Sequence, residues 1–292
     1  MRGSIYKSPE GETEILALYD SALSELEPAH SSLTLDTSHG RTHVLALGPE
    51  DAPTLLLLPG GNFLNPTCCS WLSPLAGEYR IHAPDIPGQP GYSARAPRLS
   101  TKDDSQARWL VEIMDGLKIE RAPVIGISYG AGLALRLAGY APQRVSRMAL
   151  LMPSGLVSGP IVSMLTGIVV PMLLYRLRPG RERLSKAVSP LLTEENDALA
   201  YQIGAVYRHV KLDANLPRLA TAKELEEFRA PTMVFAGEND PFFPGEAVVG
   251  RAREIIPDLR TTESIEGARH ILSRAMFERI NYEIRAFLSS FP

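Results

Sequence analysis

Apolar positions change their pattern twice along the chain. From 12 to 26 they recur with helical spacing, at Ile15, Leu16, Leu18, Ala22 and Leu23, which predicts an amphipathic helix. Residues 32–36 and 42–47 alternate apolar and polar positions on either side of His39-Gly40, the pattern of a half-buried hairpin. Beyond residue 50 the alternation gives way to short continuous apolar runs at 55–58, 80–85, 123–127, 147–152, 232–236 and 259–265. Strands covered on both faces read this way, because a helix-backed parallel sheet leaves neither face to water. Helical stretches at 102–117, 129–140, 245–256 and 273–289 lie between the runs. Strands alternating with helices make βαβ units, whose right-handed crossovers place helices on both faces of a mostly parallel, twisted sheet. The fold class is therefore α/β.

One interval breaks the alternation. Between the runs ending at Met152 and starting at Thr232 the apolar spacing is helical, punctuated by Pro160, Pro171, Pro179-Gly180 and Pro190. A structureless loop of that length is rare in a compact domain. Residues 156–228 are therefore expected to form a helical cap on a core built from 1–155 and 229–292. Inside it Ile161, Leu165, Ile168 and Met172 precede Arg176, Arg178, Arg181 and Arg183. This predicts a cap helix packed on the core, with an apolar wall over a pocket and a basic end. Docking on a membrane surface is the less favoured reading.

Composition narrows the function. The 292 residues are 45% hydrophobic and 22% charged, enough apolar surface for a large core and too little charge for disorder. A net charge of −3 excludes a general nucleic-acid binder, which needs a basic excess. The two cysteines, Cys68 and Cys69, are adjacent, so they make neither a disulfide framework nor a zinc site. A reducing, cytoplasmic location is expected. The apolar run 161–175 contains Pro171 and falls short of the roughly 20 residues that span a bilayer. Oligomeric state is not legible.

Candidate chemistry centres on Gly126-Ile127-Ser128-Tyr129-Gly130, a G-x-S-x-G motif between an apolar strand and a helix. A sharp strand-to-helix turn exposes the serine, and flanking glycines remove the side chains that would clash with it. The helix N-terminus favours negative charge developing beside the serine oxygen. A serine nucleophile needs a base, and the base an orienting acid. His209 and His270 follow Ser128; His270 sits after the last predicted strand, where open α/β sheets place their sites, whereas His209 falls inside the cap. For the acid, Gly237-Glu238-Asn239-Asp240 follows the strand 232–236 and offers Asp240 first and Glu238 second. The oxyanion donors are expected to be the N–H of Tyr129 and one from Pro59-Gly60-Gly61-Asn62, with Gly61 favoured over Asn62. Asn62, Phe63, Leu165 and Phe242 are candidate pocket residues.

Over about residues 30–292 these features resemble the α/β-hydrolase superfamily, and most closely its bacterial carboxylesterase-like branch with a short helical cap. The resemblance rests on 55–61, Ala83-Pro84-Asp85-Ile86-Pro87-Gly88, 126–130, 237–244 and 267–270. It implies a catalytic triad of Ser128, Asp240 and His270. The chain departs from the family pattern at Pro59-Gly60, where His-Gly is usual, and at Arg269-His270, where Gly-His is usual. The second departure puts a cation near the pocket rim. The implied activity is hydrolysis of a small to medium carboxylic ester with an apolar acyl part, through an acyl-enzyme and without metal or organic cofactor. Thioesters, lactones and carbon–carbon bonds are open to the same triad. Two other classes remain: a ligand-binding or signalling protein with slow turnover, and a cofactor-free lyase or peroxidase-type activity.

Overall fold

A computed structural model describes residues 4–95 and 98–290. All eight predicted strands are present, in one sheet ordered β1-β2-β4-β3-β5-β6-β7-β8. The hairpin comprises β1 (His30–Thr37) and β2 (Gly40–Leu47), and β2 runs antiparallel to β4 (Arg80–Pro84). β3 (Thr54–Leu58), β5 (Ala122–Ile127), β6 (Val145–Leu151), β7 (Thr232–Gly237) and β8 (Leu259–Ile265) complete it, and every pairing from β4 onward is parallel.

The continuous apolar runs are explained by β3. Leu55 and Leu57 enter one core, with Tyr19, Leu72 and Ile280; Leu56 and Leu58 enter the other, with Trp109, Leu133 and Val248. The first core lies under α1 (Pro9–Ser24), α2 (Asn65–Leu72) and α10 (Arg274–Ser289), the second under α3 (Ser105–Gly116), α4 (Tyr129–Tyr140) and α9 (Gly245–Ile255). Successive side chains on a strand point to opposite faces, so a strand between two helical layers is apolar throughout. Helix α1 starts before its predicted residue 12, because the Ser8 hydroxyl accepts the Gly11 N–H at 3.1 Å and Pro9 presets the first turn. Helix α2 was not expected. Its sequence has little helical propensity, and burial of Cys68, Cys69 and Leu72 holds it in place.

Between β6 and β7 lie α5 (Ile161–Met164), a π-helical turn (Leu165–Val169), α6 (Val170–Leu177), α7 (Arg181–Val188) and α8 (Asp197–His209). The helices stop at His209, short of the expected end near 228. From 210 onward the backbone finds partners in the core instead: Tyr6 bridges Val210, Lys211 N–H donates to Ile5 O at 2.8 Å, and Ala220 N–H donates to Gly155 O at 2.7 Å. The insertion has its own small core of Tyr175, Val188, Leu199, Ile203 and Tyr207, against which Phe63, Trp71 and Ile271 pack.

Candidate active site

Ser128 stands at the C-terminal end of β5 and immediately before α4. Its backbone has φ +51° and ψ −112°, a conformation most side-chain-bearing residues avoid. Five hydrogen bonds hold it there. Its N–H donates to Leu151 O at 2.8 Å, and its carbonyl accepts from the N–H groups of Ala131, Gly132 and Ser154 and from the Ser154 hydroxyl. The neighbouring glycines are sterically required. A Cβ on Gly126 would come within 2.5 Å of Ala131 Cα, and one on Gly130 would overlap the Leu58 carbonyl oxygen.

His270 lies beyond β8 with Nε2 3.0 Å from Ser128 Oγ and Nδ1 2.7 Å from Asp240 Oδ2. The Asp240 side chain is fully buried, and its other oxygen accepts the N–H groups of Phe242 (2.8 Å) and Phe243 (3.2 Å). Glu238 points elsewhere: it is exposed and its carboxylate accepts the Gly267 N–H at 2.8 Å. The loops carrying acid and histidine lie against each other through the Asn239 N–H, which donates to Ala268 O at 2.8 Å. Phe242 meets the His270 ring edge-on, with centroids 4.8 Å apart. His209, the other histidine considered, is remote from this group and pairs with Glu14. Arg269 is exposed and its guanidinium donates to the Ser189 carbonyl, so it fastens the histidine loop to the insertion.

The glycine loop after β3 faces Ser128. A Cβ on Gly60 would sit 3.9 Å from Ser128 Cβ, and one on Gly61 would sit 3.0 Å from Tyr129 Cβ. Asn62 has φ +54°, and its N–H is taken by Gln89 Oε1 at 2.7 Å, which leaves Gly61 as the loop's donor candidate. Tyr129 is the first residue of α4, so its N–H has no partner inside that helix. Its phenol accepts from Gln106 Nε2 at 3.0 Å, and burial pushes its ionisation well above the usual tyrosine range. Phe63 packs on Trp71, with centroids 5.3 Å apart. Leu165 lies on the π turn and is 49% exposed, whereas Ile168 is the residue of that turn that turns inward. Sequence reasoning had no signal for Gln89 or Asp213, which support Asn62 from 27 and 151 residues away. Among the described residues, no group of three His, Cys, Asp or Glu side chains is placed to hold a metal, and no helix is long and apolar enough to cross a membrane.

A serine at a strained strand–helix turn, relayed through histidine to a buried aspartate on a later strand end, defines a class of hydrolase scaffold. The family model for the alpha/beta hydrolase fold matches residues 53–169, and the chain belongs to that family. It is 27% identical over 281 residues to carboxylesterase YbfK of Bacillus subtilis, covering 92% of each chain. It is 30% identical over 221 residues to the 2-hydroxy-6-oxononadienedioate/2-hydroxy-6-oxononatrienedioate hydrolase 2 of Pseudomonas putida, covering 68% of this chain and 75% of that one. The crystal structure of naproxen esterase from B. subtilis superposes with a TM-score of 0.82 at 24% identity, covering 97% of this chain and all of the other.

Proposed function

We propose that this protein is a serine hydrolase that cleaves small to medium carboxylic esters with an apolar acyl part. The observation that carries the reading is the continuous relay Asp240–His270–Ser128, at 2.7 and 3.0 Å, ending on a strained nucleophile. The similarity to carboxylesterases of B. subtilis supports the same substrate class. Ionised Asp240 is an acceptor only, so His270 carries its proton on Nδ1 and presents a bare Nε2 to the serine hydroxyl. Nε2 removes that proton as Oγ attacks the ester carbonyl, and the buried carboxylate stabilises the resulting imidazolium. The N–H groups of Tyr129 and Gly61 receive the oxyanion, each contributing about 3 kcal/mol because neither has to reorient as charge develops. Collapse expels the alcohol, protonated by His270. Water activated by the same nitrogen then releases the acid. Phe242, edge-on to the His270 ring, is the aromatic wall beside the reacting centre, and we assign Phe63 to the far side of the same approach. The helical part of the insertion, ending at His209, acts as a cap over this pocket, and the protein works in the cytoplasm on small molecules rather than nucleic acid or membranes.

The test is hydrolysis of p-nitrophenyl esters of increasing acyl length, with Ser128→Ala beside the wild type. Loss of turnover in the variant supports the assignment, and the length optimum measures the pocket. Equal rates in the two proteins would remove Ser128 as nucleophile. The 30% identity to the P. putida hydrolase favours one second reading, a 2-hydroxy-6-oxo dienedioate substrate. Faster turnover of such a dienedioate than of any ester in the panel would select it.

A further inference from the structure

The glycine loop that supplies an oxyanion donor has no regular secondary structure of its own. Its last residue is nevertheless closely held. Asn62 Nδ2 donates to the Asp213 carbonyl at 2.8 Å, and the Asp213 N–H donates back to Asn62 Oδ1 at 2.8 Å. The side-chain amide thus pairs with a main-chain amide, as one strand residue pairs with another. The Asn62 N–H donates to Gln89 Oε1 at 2.7 Å, and Gln89 Nε2 faces Asp213 Oδ2 at 3.4 Å. Gln89 and Asp213 are both buried. Three groups from distant parts of the chain therefore fix one residue in a left-handed backbone conformation. Asparagine tolerates that conformation better than most side chains do.

Asp213 is itself immobilised. Its Oδ1 accepts both the N–H and the side-chain amide of Asn215 at 3.0 Å, and Arg98 lies 3.5 Å from the same oxygen. Just upstream, the chain leaving α8 pairs with the N-terminal segment, where Lys7 N–H donates to His209 O at 2.9 Å and Lys211 N–H to Ile5 O at 2.8 Å. The chain emerging from the insertion is thereby rigid where it meets the glycine loop.

We propose that Asn62, Gln89 and Asp213 form a clamp that sets the direction of the Gly61 N–H, making them positioning residues for transition-state stabilisation. The proposal rests on the serine-hydrolase reading above. The peptide plane that carries the Asn62 N–H also contains the Gly61 carbonyl. That plane is one of the two hinged at Gly61 Cα, so holding it restrains rotation of the adjoining donor from the side that Gln89 grips. Asp213 supplies the fixed frame, since its main chain holds the Asn62 side chain and its carboxylate holds Gln89. A donor displaced from the oxyanion loses part of its effect on the transition state, while substrate binding in the ground state changes little.

The test compares Asn62→Gly, which keeps the positive φ but removes both side-chain bonds, with Gln89→Met, which keeps length but removes the acceptor. Gln89→Glu combined with Asp213→Asn keeps the acceptor for the Asn62 N–H and exchanges donor and acceptor across the 3.4 Å contact, and serves as the conservative variant. Each is assayed on a short p-nitrophenyl ester and titrated with a phenylboronic acid, whose tetrahedral adduct mimics the intermediate. Thermal unfolding reports on folding. Clamp action predicts kcat about tenfold lower for Asn62→Gly and Gln89→Met, KM within about twofold of wild type, and boronate affinity falling in step with kcat, with partial recovery in the Gln89→Glu/Asp213→Asn pair. Unchanged kcat in folded variants would overturn the clamp, as would a KM rise with constant kcat. Wild type that neither loses activity on Ser128→Ala substitution nor binds boronate would overturn the hydrolase reading instead, so the two failures are distinguishable.

Discussion

The two walls of the site are built on opposite plans. On the acid–base wall, Asp240 and His270 are oriented by adjacent loops: the carboxylate takes its N–H donors from two and three residues downstream, and Asn239 ties the two loops together. On the oxyanion wall, the glycine loop takes its support from Gln89 and Asp213, side chains and main chain brought in from elsewhere. The first wall is specified by short stretches after two buried strands. The second exists only once the chain leaving α8 has docked. The insertion also touches the first wall from outside, where Ile271 N–H donates to Leu191 O at 2.8 Å and Thr193 N–H to Ile271 O at 2.9 Å. The lesson is that a relay can be local while the electrostatic half of the same site depends on the whole fold.

Substitutions can break or sharpen this contrast. Ser128→Ala removes the atom both walls serve, and kcat for p-nitrophenyl butyrate should fall by about 10^4- to 10^6-fold, measured by steady-state release of nitrophenolate. Asp240→Asn attacks the acid–base wall alone. The imidazole would then settle in the wrong tautomer, and kcat should drop about 10^4-fold near neutral pH with little change in unfolding temperature. The clamp variants of the oxyanion wall should cost only about tenfold, because the donor is displaced rather than deleted. Glu238→Gln, one turn of the same loop away from Asp240, should change kcat less than about twofold, since Glu238 is exposed and its carboxylate accepts the Gly267 N–H at the surface. A result near that of Asp240→Asn would mean the acid had been misassigned.

The smallest effect concerns β4, which leads into the loop carrying Gln89. His82 on this strand has its Nδ1 buried with no hydrogen-bond partner among the described residues, and burial together with Arg80 lowers its ionisation to about 4. The unfolded chain binds this proton near pH 6.5 and the folded chain only near 4. The stability from keeping His82 neutral is therefore present above about pH 6.5 and is lost as pH falls toward 4. Urea unfolding should show the midpoint falling across that window, and His82→Gln should flatten the fall.

Much of this was legible in the chain. Strands β3, β5, β6 and β7 announce themselves because burial on both faces leaves continuous apolar runs at 55–58, 123–127, 148–152 and 233–236. The fold class followed from their alternation with helices, and the family from 126–130 and its strand–helix setting. Ser128 and His270 could be singled out because a nucleophile motif and a strand end are local features. Asp240 was favoured over Glu238 from its turn, and the two carboxylates part in the structure, Asp240 lying 2.7 Å from Nδ1 and Glu238 accepting the Gly267 N–H. Helix α2 and the non-helical stretch after His209 were not legible. The first is held by tertiary burial against weak propensity, and the second trades helical hydrogen bonds for partners in the core. The Asn62 support was invisible for the same reason: sequence patterns carry no record of partners 151 residues apart.

Cys68 lies directly under the glycine loop, its sulfur 4.0 Å from where a Cβ on Gly60 would stand, and burial pushes its thiol up to about 12. Cys69 beside it is equally buried. Alkylating reagents need both access and thiolate, and the closed loop denies them both. The pair is thus a built-in reporter on the loop above: iodoacetamide uptake should be slow in the folded protein and should rise in any variant that loosens that loop, with no substrate needed to read it.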